Sequence, residues 1–166
     1  MAQSSNSTSL LDTSALAKLK HAKVAIVYTE WNEKIISELV SGCEKILSQF
    51  KAITTNKIIV PGAFELPFAC KQVFETSPQN EIPEAIIAFG TVIRGGTPHF
   101  DYVCKAVTEG ITQLNLTLPV PVIFGVLTLN NEQEAWERLG GVHGHKGEEA
   151  AIAALKMIKN TRSLKG

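Results

Sequence analysis

Short apolar runs rich in β-branched residues alternate along the chain with longer segments of helical periodicity. The apolar runs predict four strands, at residues 23–28, 57–60, 84–89 and 121–127. The runs are continuous rather than alternating, which is typical of strands whose two faces are both covered. The pattern therefore predicts an α/β fold, a single-domain three-layer α/β/α sandwich with a four-stranded, mainly parallel sheet and flavodoxin-like layering.

Capping and turn-forming residues set the expected limits of the helices. The first helix is expected at residues 35–50, with Asn32 as its N-cap. The second has Pro67 in its first turn and runs to about Thr76. The third begins with Thr97 as N-cap and Pro98 after it, and runs to about Leu116. The last two are a short helix capped by Asn130 or Asn131 that reaches Leu139, and residues 148–159. Glycine-rich loops are expected at residues 90–97 and 140–147.

The length of 166 residues suits one buried core, so we expect one domain at residues 21–166 behind a flexible N-terminal arm at residues 1–20. The net charge is zero, which disfavours an extensive basic surface for nucleic acid or anionic lipid. The apolar runs are too short to span a membrane, and the first residues lack the features of a secretory signal. We therefore expect a cytoplasmic protein with neither a nucleic-acid nor a membrane partner.

The three cysteines, Cys43, Cys70 and Cys104, lie far apart and form no CxxC pair. Each falls within an apolar helical pattern, which favours small buried thiols over a disulfide, a zinc site or a nucleophile. This usage of cysteine is typical of a reducing compartment.

Aromatic, acidic, glycine and histidine residues follow the ends of the predicted strands. They lie in segments 29–32, 61–67 and 90–100, with Thr128 after the fourth strand. Ligands of parallel sheets bind outside the carboxyl ends of the strands, where these segments would meet. The sequence therefore predicts a site at this edge for a flat, polar and partly anionic ligand.

The segment Gly95-Gly96-Thr97-Pro98 matches neither GxGxxG nor a Walker loop. Such glycines let a ligand approach the backbone N–H groups at the start of a helix, which have no partner within the helix. Those N–H groups form an anion site, and phosphate is the anion commonly bound there. A plain tight turn is the alternative. His99 lies in the first helical turn, where it is either a general acid/base beside the anion or an exposed polar residue.

Three more residues of this edge each have two interpretations. Phe64 is either a core side chain or part of the site. Glu65 either stabilises a helix N-terminus or contacts the ligand. Trp31 either packs against the protein or stacks on a planar ligand.

Four motifs, in matching order, together resemble those of the lumazine synthase family. They are VPGAFELP at residues 60–67, GTVIRGGTPHFDYV at 90–103, FGVLT at 124–128, and Arg138 followed by a glycine-rich loop and KGEEAA at 146–151. Their order and spacing match over residues 22–159.

The resemblance implies a transferase, a 6,7-dimethyl-8-ribityllumazine synthase. Such an enzyme condenses 5-amino-6-(D-ribitylamino)uracil with 3,4-dihydroxy-2-butanone 4-phosphate in the penultimate step of riboflavin biosynthesis. Phosphate and water are released, and neither a metal nor an organic cofactor takes part. This chemistry needs positioning and proton transfer more than a strong nucleophile.

The resemblance also implies a role for each matching residue. Trp31 stands where the family's aromatic residue, frequently phenylalanine, stacks on the pyrimidine ring. The other implied substrate contacts are Ala63, Phe64 and Glu65 along the ribityl chain, Thr91, Val92 and Ile93 at the pyrimidine, Gly96 and Thr97 at the phosphate, and Phe124. The implied catalytic residues are His99 for proton transfer, Arg138 as partner of the phosphate, and Lys146. In the family, the last two and Phe124 come from a neighbouring subunit.

Shared sites imply self-association, as a homopentamer or as a sixty-subunit icosahedral capsid, and riboflavin synthase is a further expected partner. Asparagine is frequent in the family where His145 stands. His143 and His145 form a His-x-His pair, but two ligands without a carboxylate nearby disfavour a metal site, and we expect none.

Two other functions of the same fold remain open, an archaeal-type riboflavin synthase and a non-catalytic flavin-binding or shell-forming protein. The joint presence of His99, Arg138 and Lys146 favours an enzyme over a container. A flavodoxin-like electron carrier would need a phosphate loop directly after the first strand, where residues 29–32 contain no glycine.

Overall fold

Four parallel strands form the centre of the protein, whose structure is a computed structural model that describes residues 11–165. The strands are β1 (Lys23–Thr29), β2 (Ile53–Val60), β3 (Ala85–Ile93) and β4 (Val122–Leu129), in the spatial order β2-β1-β3-β4. The helices are α1 (Glu33–Gln49), α2 (Leu66–Thr76), α3 (His99–Thr117), α4 (Gln133–Glu137) and α5 (Lys146–Leu164). A hairpin of two short antiparallel strands, β5 (Leu139–Gly141) and β6 (Gly144–His145), precedes α5.

Helices cover both faces of this sheet. Val24 and Ile26 of β1 pack in the cluster formed with α1 and α5, whereas Ala25 and Val27 pack in the cluster formed with α2 and α3. Burying one valine or isoleucine side chain stabilises the fold by about 1.5–3 kcal/mol, so strands covered on both faces require apolar residues throughout. The predicted α/β/α sandwich is confirmed, and all strands of its main sheet are parallel.

Strand β3 is longer than the sequence predicts, because its second half pairs with β4. Gly90 lies opposite Val126, and Ile93 lies opposite Leu129. The interpretation of residues 90–93 as the start of a glycine-rich loop is therefore wrong. A Cβ atom at position 90 would lie 2.9 Å from the Leu66 side chain, so packing rather than loop flexibility explains the glycine. Thr128 likewise lies within β4 rather than after it.

Strand β2 begins four residues before its predicted start, at Ile53 instead of residue 57. The pairing with β1 shifts so that Val24 faces Thr54 and Ala25 faces Asn56, which leaves Thr55 as the extra residue of a bulge. β2 is an edge strand and is largely exposed. Residues 54–56 are polar and only partly buried, so the apolar pattern did not extend to them.

Of the predicted N-caps, Thr97 is wrong, whereas Asn32 occupies the N-cap position of α1 but does not cap the helix with its side chain. Helix α3 begins at His99 with Pro98 in the N-cap position, and no side chain caps it, so Thr97 does not have this role. Asn32 precedes α1 with a left-handed backbone, and its side chain donates a hydrogen bond to Thr91 O (3.3 Å) instead of capping the helix. The helical start is thus set by the strand-to-helix turn rather than by a side-chain cap.

The remaining helix limits follow the prediction in part. Pro67 lies in the first turn of α2, which ends at Thr76 as expected. The N-cap position of α4 is Glu132 rather than Asn130 or Asn131, although Asn131 Oδ1 accepts a hydrogen bond from the first-turn amide of Glu134 (3.1 Å). Helix α4 ends at Glu137 rather than at residue 139. The predicted loop at residues 140–147 contains the β5–β6 hairpin, and α5 extends beyond the predicted range of 148–159 at both ends.

Residues 1–10 of the predicted arm lie outside the described residues. Further along, Leu16 is fully buried and Leu19 nearly so, both in the cluster of α1 and α5. The guanidinium group of Arg162, near the end of α5, holds this segment. It donates to Lys20 O (2.9 Å) and His21 O (3.4 Å), and to the carboxylate of Glu84 at 2.6 and 2.7 Å.

The Glu84 carboxylate makes stability depend on pH. Burial raises the pKa of Glu84, but hydrogen bonds from Arg162 and from Lys23 N, with the charges of both residues, hold this pKa below its usual value of 4.5. A lowered pKa contributes stability that is present above pH 4.5 and is lost as the pH falls through the folded-state value. We expect Arg162→Gln to lower the free energy of unfolding at neutral pH by about 1 kcal/mol, because solvent screens this half-exposed pair.

Denaturant unfolding at fixed chain concentration, from neutral pH to about pH 3, would measure this effect. The difference between wild type and Arg162→Gln should shrink as the pH falls below 4.5. Lys71→Gln is the matched control, since its exposed ion pair with Glu75 (3.7 Å) should change stability little at any pH. A constant difference between wild type and Arg162→Gln would contradict the assignment.

Candidate active site

A cavity of about 610 Å³ opens beside the carboxyl ends of β1 and β3. The sequence-predicted residues that line it are Trp31, Ala63, Phe64, Glu65, Thr91, Val92, Ile93 and His99. They come from the turns after β1 and β2, from the last residues of β3 and from the start of α3. The expected edge of the sheet therefore brings together most of the predicted site.

Two large aromatic side chains at this cavity are exposed to solvent. Trp31 is 72% exposed and Phe64 is 62% exposed, although burial of either ring would stabilise the fold. Neither is a core residue, so the packing interpretations of Phe64 and Trp31 are wrong for the isolated chain. Exposed aromatic faces beside a concave surface are suited to stack on a flat ligand.

Glu65 stabilises the turn in which it lies. Its Oε2 accepts a hydrogen bond from Gly62 N (3.0 Å), and its own N–H donates to Gly62 O (3.2 Å). The short 3-10 turn at Ala63–Glu65 is thereby closed on itself before α2 begins. This geometry fixes the carboxylate at the cavity wall and leaves it further acceptor capacity.

The sequence interpretation missed three residues of the cavity, Asn32, Gly62 and Val103. Asn32 ties the turn after β1 to the end of β3 through its bond to Thr91 O. Thr91 is buried, and within residues 11–165 its hydroxyl has no hydrogen-bond partner. Asn32 and Gly62 lie in the segments 29–32 and 61–67 that the sequence places at this edge, although neither was named as a site residue.

The glycine loop between β3 and α3 lies exposed next to this cavity, but Gly96 and Thr97 do not line it. A Cβ atom at Gly95 or Gly96 would meet no atom within 4 Å, and neither glycine has a positive φ. Neither packing nor backbone conformation requires glycine here, whereas the close approach of a ligand would. The loop is braced by Arg94, whose guanidinium group pairs with Asp101 (3.1 Å).

The other predicted residues, Phe124, Arg138 and Lys146, line a second cavity of about 420 Å³. This cavity lies against β4, at the opposite edge of the sheet from β2, and α5 closes it. Lys146 pairs with Glu149 (2.6 Å), and both side chains are largely buried. Within one chain, the three residues that the resemblance assigns to a neighbouring subunit therefore lie in the second cavity, whereas most of the other predicted residues line the first.

The N-terminus of α5 is capped by His145. Its Nδ1 accepts hydrogen bonds from Gly147 N (3.2 Å) and Glu148 N (3.4 Å), and its Nε2 lies 3.3 Å from Glu38 Oε1. An asparagine side chain at this position could accept the same bonds. The ring packs on Gly42 of α1, where a Cβ atom would lie 2.1 Å from its Cε1.

This contact predicts that Gly42→Ala lowers the free energy of unfolding by about 1–3 kcal/mol, because the added methyl group overlaps the imidazole. In a His145→Asn background the shorter side chain leaves room, and alanine in α1 should then be neutral or stabilising by up to about 1 kcal/mol. Denaturant unfolding of both single variants and the double variant measures this coupling. Equal effects of Gly42→Ala in the two backgrounds would contradict it.

The cysteines have no place in either cavity. Cys43 and Cys70 are buried, and burial raises the pKa of each thiol to about 12, so the predicted buried thiols are confirmed at these positions. Cys104 is only half-buried, which corrects the prediction there, and burial also raises its pKa. Thiols with raised pKa values are poor nucleophiles.

Among residues 11–165, no three His, Cys, Asp or Glu side chains are grouped so that they could hold a metal ion. Within the same part of the chain, no helix combines the length and apolar character that crossing a membrane requires.

Comparison with known proteins identifies the family. The sequence model described as 6,7-dimethyl-8-ribityllumazine synthase matches residues 21–162. An enzyme of that name from Parabacteroides distasonis is 41% identical over 160 residues, covering 95% of this chain and 98% of the relative. Relatives of the same name from Bacteroides fragilis and Porphyromonas gingivalis are 46% and 49% identical, over 86% and 83% of this chain and 98% and 84% of their own lengths. The chain therefore belongs to the 6,7-dimethyl-8-ribityllumazine synthase family.

Proposed function

We propose that this chain forms 6,7-dimethyl-8-ribityllumazine from 5-amino-6-(D-ribitylamino)uracil and 3,4-dihydroxy-2-butanone 4-phosphate, with release of phosphate and water. The family match and the names of the relatives support this reaction. The observation that carries it is the division of the motif residues between two cavities, one with aromatic walls and His99, the other with Arg138 and Lys146.

The first cavity suits the pyrimidine substrate. Trp31 provides an exposed face for stacking, and residues 91–93 lie at the end of β3, where backbone groups can contact the edge of the ring. The ribityl chain extends along Ala63, Phe64 and Glu65. The Glu65 carboxylate, already fixed by Gly62 N, accepts hydrogen bonds from ribityl hydroxyl groups.

The phosphate of the second substrate lies at the glycine loop. The N–H groups of Gly96 and Thr97, just before α3, donate to its oxygens, and the open space around Gly96 admits it. Arg138 of a neighbouring subunit pairs with the same phosphate, and a planar guanidinium group can do so with two parallel hydrogen bonds. Phe124 and Lys146 complete the site from that subunit.

His99 transfers protons during the condensation. The amine adds to the ketone, and the resulting carbinolamine loses water to give the imine. Phosphate is then eliminated, and the ribitylamino nitrogen attacks the remaining carbonyl carbon to close the ring with loss of the second water. Each stage moves a proton between nitrogen, carbon or oxygen atoms, and an imidazole can accept and return it near neutral pH. His99 lines the first cavity as the first residue of α3, beside the phosphate loop.

The assembly that joins the two cavities is a homopentamer or an icosahedral capsid of such pentamers. The separation of the cavities on opposite parts of one chain supports a site between subunits, because neither cavity alone holds the full set of residues. An association with riboflavin synthase and a cytoplasmic location stay predictions that accompany this proposal.

The proposed reaction is tested by mixing the two substrates with purified protein and recording lumazine fluorescence together with released phosphate. Both products should appear in equal amounts, and neither should appear when one substrate is omitted. Supplying lumazine alone tests the alternative of an archaeal-type riboflavin synthase, because riboflavin would form if the chain had that activity. Absence of both products from folded protein would leave the flavin-binding alternative and overturn the proposal.

A site shared between subunits is tested by mixing two inactive variants in one assembly, through co-expression with different tags. His99→Ala damages the first cavity only, and Arg138→Ala damages the second cavity only. In random mixed assemblies about a quarter of the sites combine two intact halves and should be active. If mixed assemblies are no more active than the separate variants, the two cavities do not form one site.

The exposed Trp31 provides a further prediction about ligand binding. Riboflavin resembles the lumazine product, and stacking of its ring on Trp31 should quench most of that tryptophan's fluorescence. The chain has one other tryptophan, Trp136, so Trp136→Phe is the control that should keep the quenching, whereas Trp31→Ala should lose it. Equal quenching in the Trp31→Ala variant would show that the ring binds elsewhere.

A further inference from the structure

The two cations of the second cavity are connected through the backbone. Lys146 is the first residue of α5, and its N–H donates to Arg138 O (2.9 Å) across the base of the β5–β6 hairpin. The backbone at the start of α5 therefore sets the positions of both Lys146 and Arg138. Whatever fixes this helix start also fixes the charged wall of the cavity.

The imidazole of His145 fixes this helix start. Its Nδ1 accepts from the amides of Gly147 and Glu148, so Nδ1 carries no proton in this arrangement. In the neutral ring the proton is then on Nε2, which donates to Glu38 Oε1 at 3.3 Å. These hydrogen bonds assign the Nε2–H tautomer to His145. A carboxylate that accepts from one ring nitrogen commonly leaves the other nitrogen free to accept a hydrogen bond.

Two glycines hold the ring against α1. The ring lies over Gly42, where a Cβ atom would overlap it. A Cβ atom at Gly147 would lie 2.1 Å from Leu39 O and 3.1 Å from His145 Cε1, so the first turn of α5 also lies directly on α1. The His145 side chain is only 13% exposed and has little freedom to adopt another rotamer.

We propose that His145 is a positioning residue of the reaction, that Glu38 holds it in the Nε2–H tautomer, and that together they fix Arg138 and Lys146 for the phosphate-bearing substrate. The identity of that substrate rests on the proposed function. The imidazole acts through the amides of α5, and Glu38 acts through the imidazole.

The first experiment compares His145→Ala with His145→Asn. Binding of inorganic phosphate is measured by equilibrium dialysis, and kcat and KM are measured with both substrates. His145→Ala should raise the Kd of phosphate and the KM of the phosphate substrate about fivefold, with kcat within about twofold, because a lost N-cap loosens the helix start. His145→Asn should stay within about twofold of wild type in each quantity, because the amide oxygen restores the cap.

The second experiment tests the part played by Glu38. Glu38→Ala should raise the Kd of phosphate about twofold to threefold in the wild-type background and leave it unchanged in the His145→Asn background. Lys45→Ala is the matched control, because Lys45 also joins α1 to α5 through an ion pair with Glu148 (2.7 Å) but does not touch the imidazole. Loss of that exposed pair should leave phosphate binding unchanged.

Phosphate affinity separates this inference from the proposed function, because it needs no turnover. Equal phosphate affinity in wild type and a folded His145→Ala variant would overturn the inference even if wild type makes lumazine. Equal losses in the alanine and asparagine variants would overturn the capping role. If His145→Ala does not fold, Glu38→Ala decides, and an unchanged Kd for phosphate in that variant would overturn the inference as well.

Discussion

Replacing His99 with alanine is expected to lower kcat by about two orders of magnitude while changing KM less than about threefold. The reason is that the imidazole transfers protons but contributes little to holding either substrate. His99 lies at the exposed start of α3 and lines the first cavity, so the substitution removes no core packing. Lumazine fluorescence recorded over a range of both substrate concentrations measures kcat and both KM values.

His99→Asn is the informative companion variant. Asparagine keeps a polar side chain of similar size and can donate or accept a hydrogen bond, but it does not exchange protons near neutral pH. If proton transfer is the role of His99, the asparagine variant is as slow as the alanine variant. A His99→Asn enzyme with nearly wild-type kcat would assign the residue to substrate binding instead.

Replacing Arg138 with alanine is expected to raise the KM of the phosphate substrate by about 10- to 100-fold, and to leave the KM of the pyrimidine substrate nearly unchanged. Hydrogen bonds to charged groups contribute about 1.5–3 kcal/mol each, and this variant loses the guanidinium group from the second cavity. Initial rates over a range of both substrate concentrations give the two constants separately.

Two control variants separate geometry from charge in this test. Arg138→Lys keeps the charge but loses the planar fork, so it should recover only part of the affinity. Lys105→Ala removes a cation from an exposed ion pair with Glu109 in α3 and should leave both KM values unchanged. An unchanged KM for the phosphate substrate in Arg138→Ala would show that the phosphate lies elsewhere. Native mass should confirm that each variant assembles as wild type does.

The strands were predictable where burial on both faces demanded apolar residues, as at Ala85–Phe89 in the centre of the sheet. The pattern failed where a segment lies at an edge or is very short. The first half of β2 is polar and only partly buried, so no apolar run marks it. The β5–β6 hairpin has too few residues for any periodicity, and only Gly140 and Gly144, both with positive φ, mark it.

The first cavity was predictable because its residues either follow strands or end one, all at one edge of the sheet. The second cavity was not predictable by that reasoning, because residues 122–129 that line it belong to β4 itself. Phe124, Arg138 and Lys146 were reached only through the family resemblance. Neither the reasoning from strand ends nor the family resemblance predicted that His145 caps α5. Helices are usually capped by serine, threonine, aspartate or asparagine, and rarely by histidine.

The overlap between the imidazole of His145 and a side chain at position 42 also restricts how related sequences can diverge. Starting from this chain, substitution at Gly42 lowers stability unless the ring has first been exchanged for something smaller. Starting from a smaller residue at position 145, histidine costs less stability when glycine is already present at position 42. The order of these two replacements is therefore constrained, and we expect the residues at positions 42 and 145 to be correlated among related sequences.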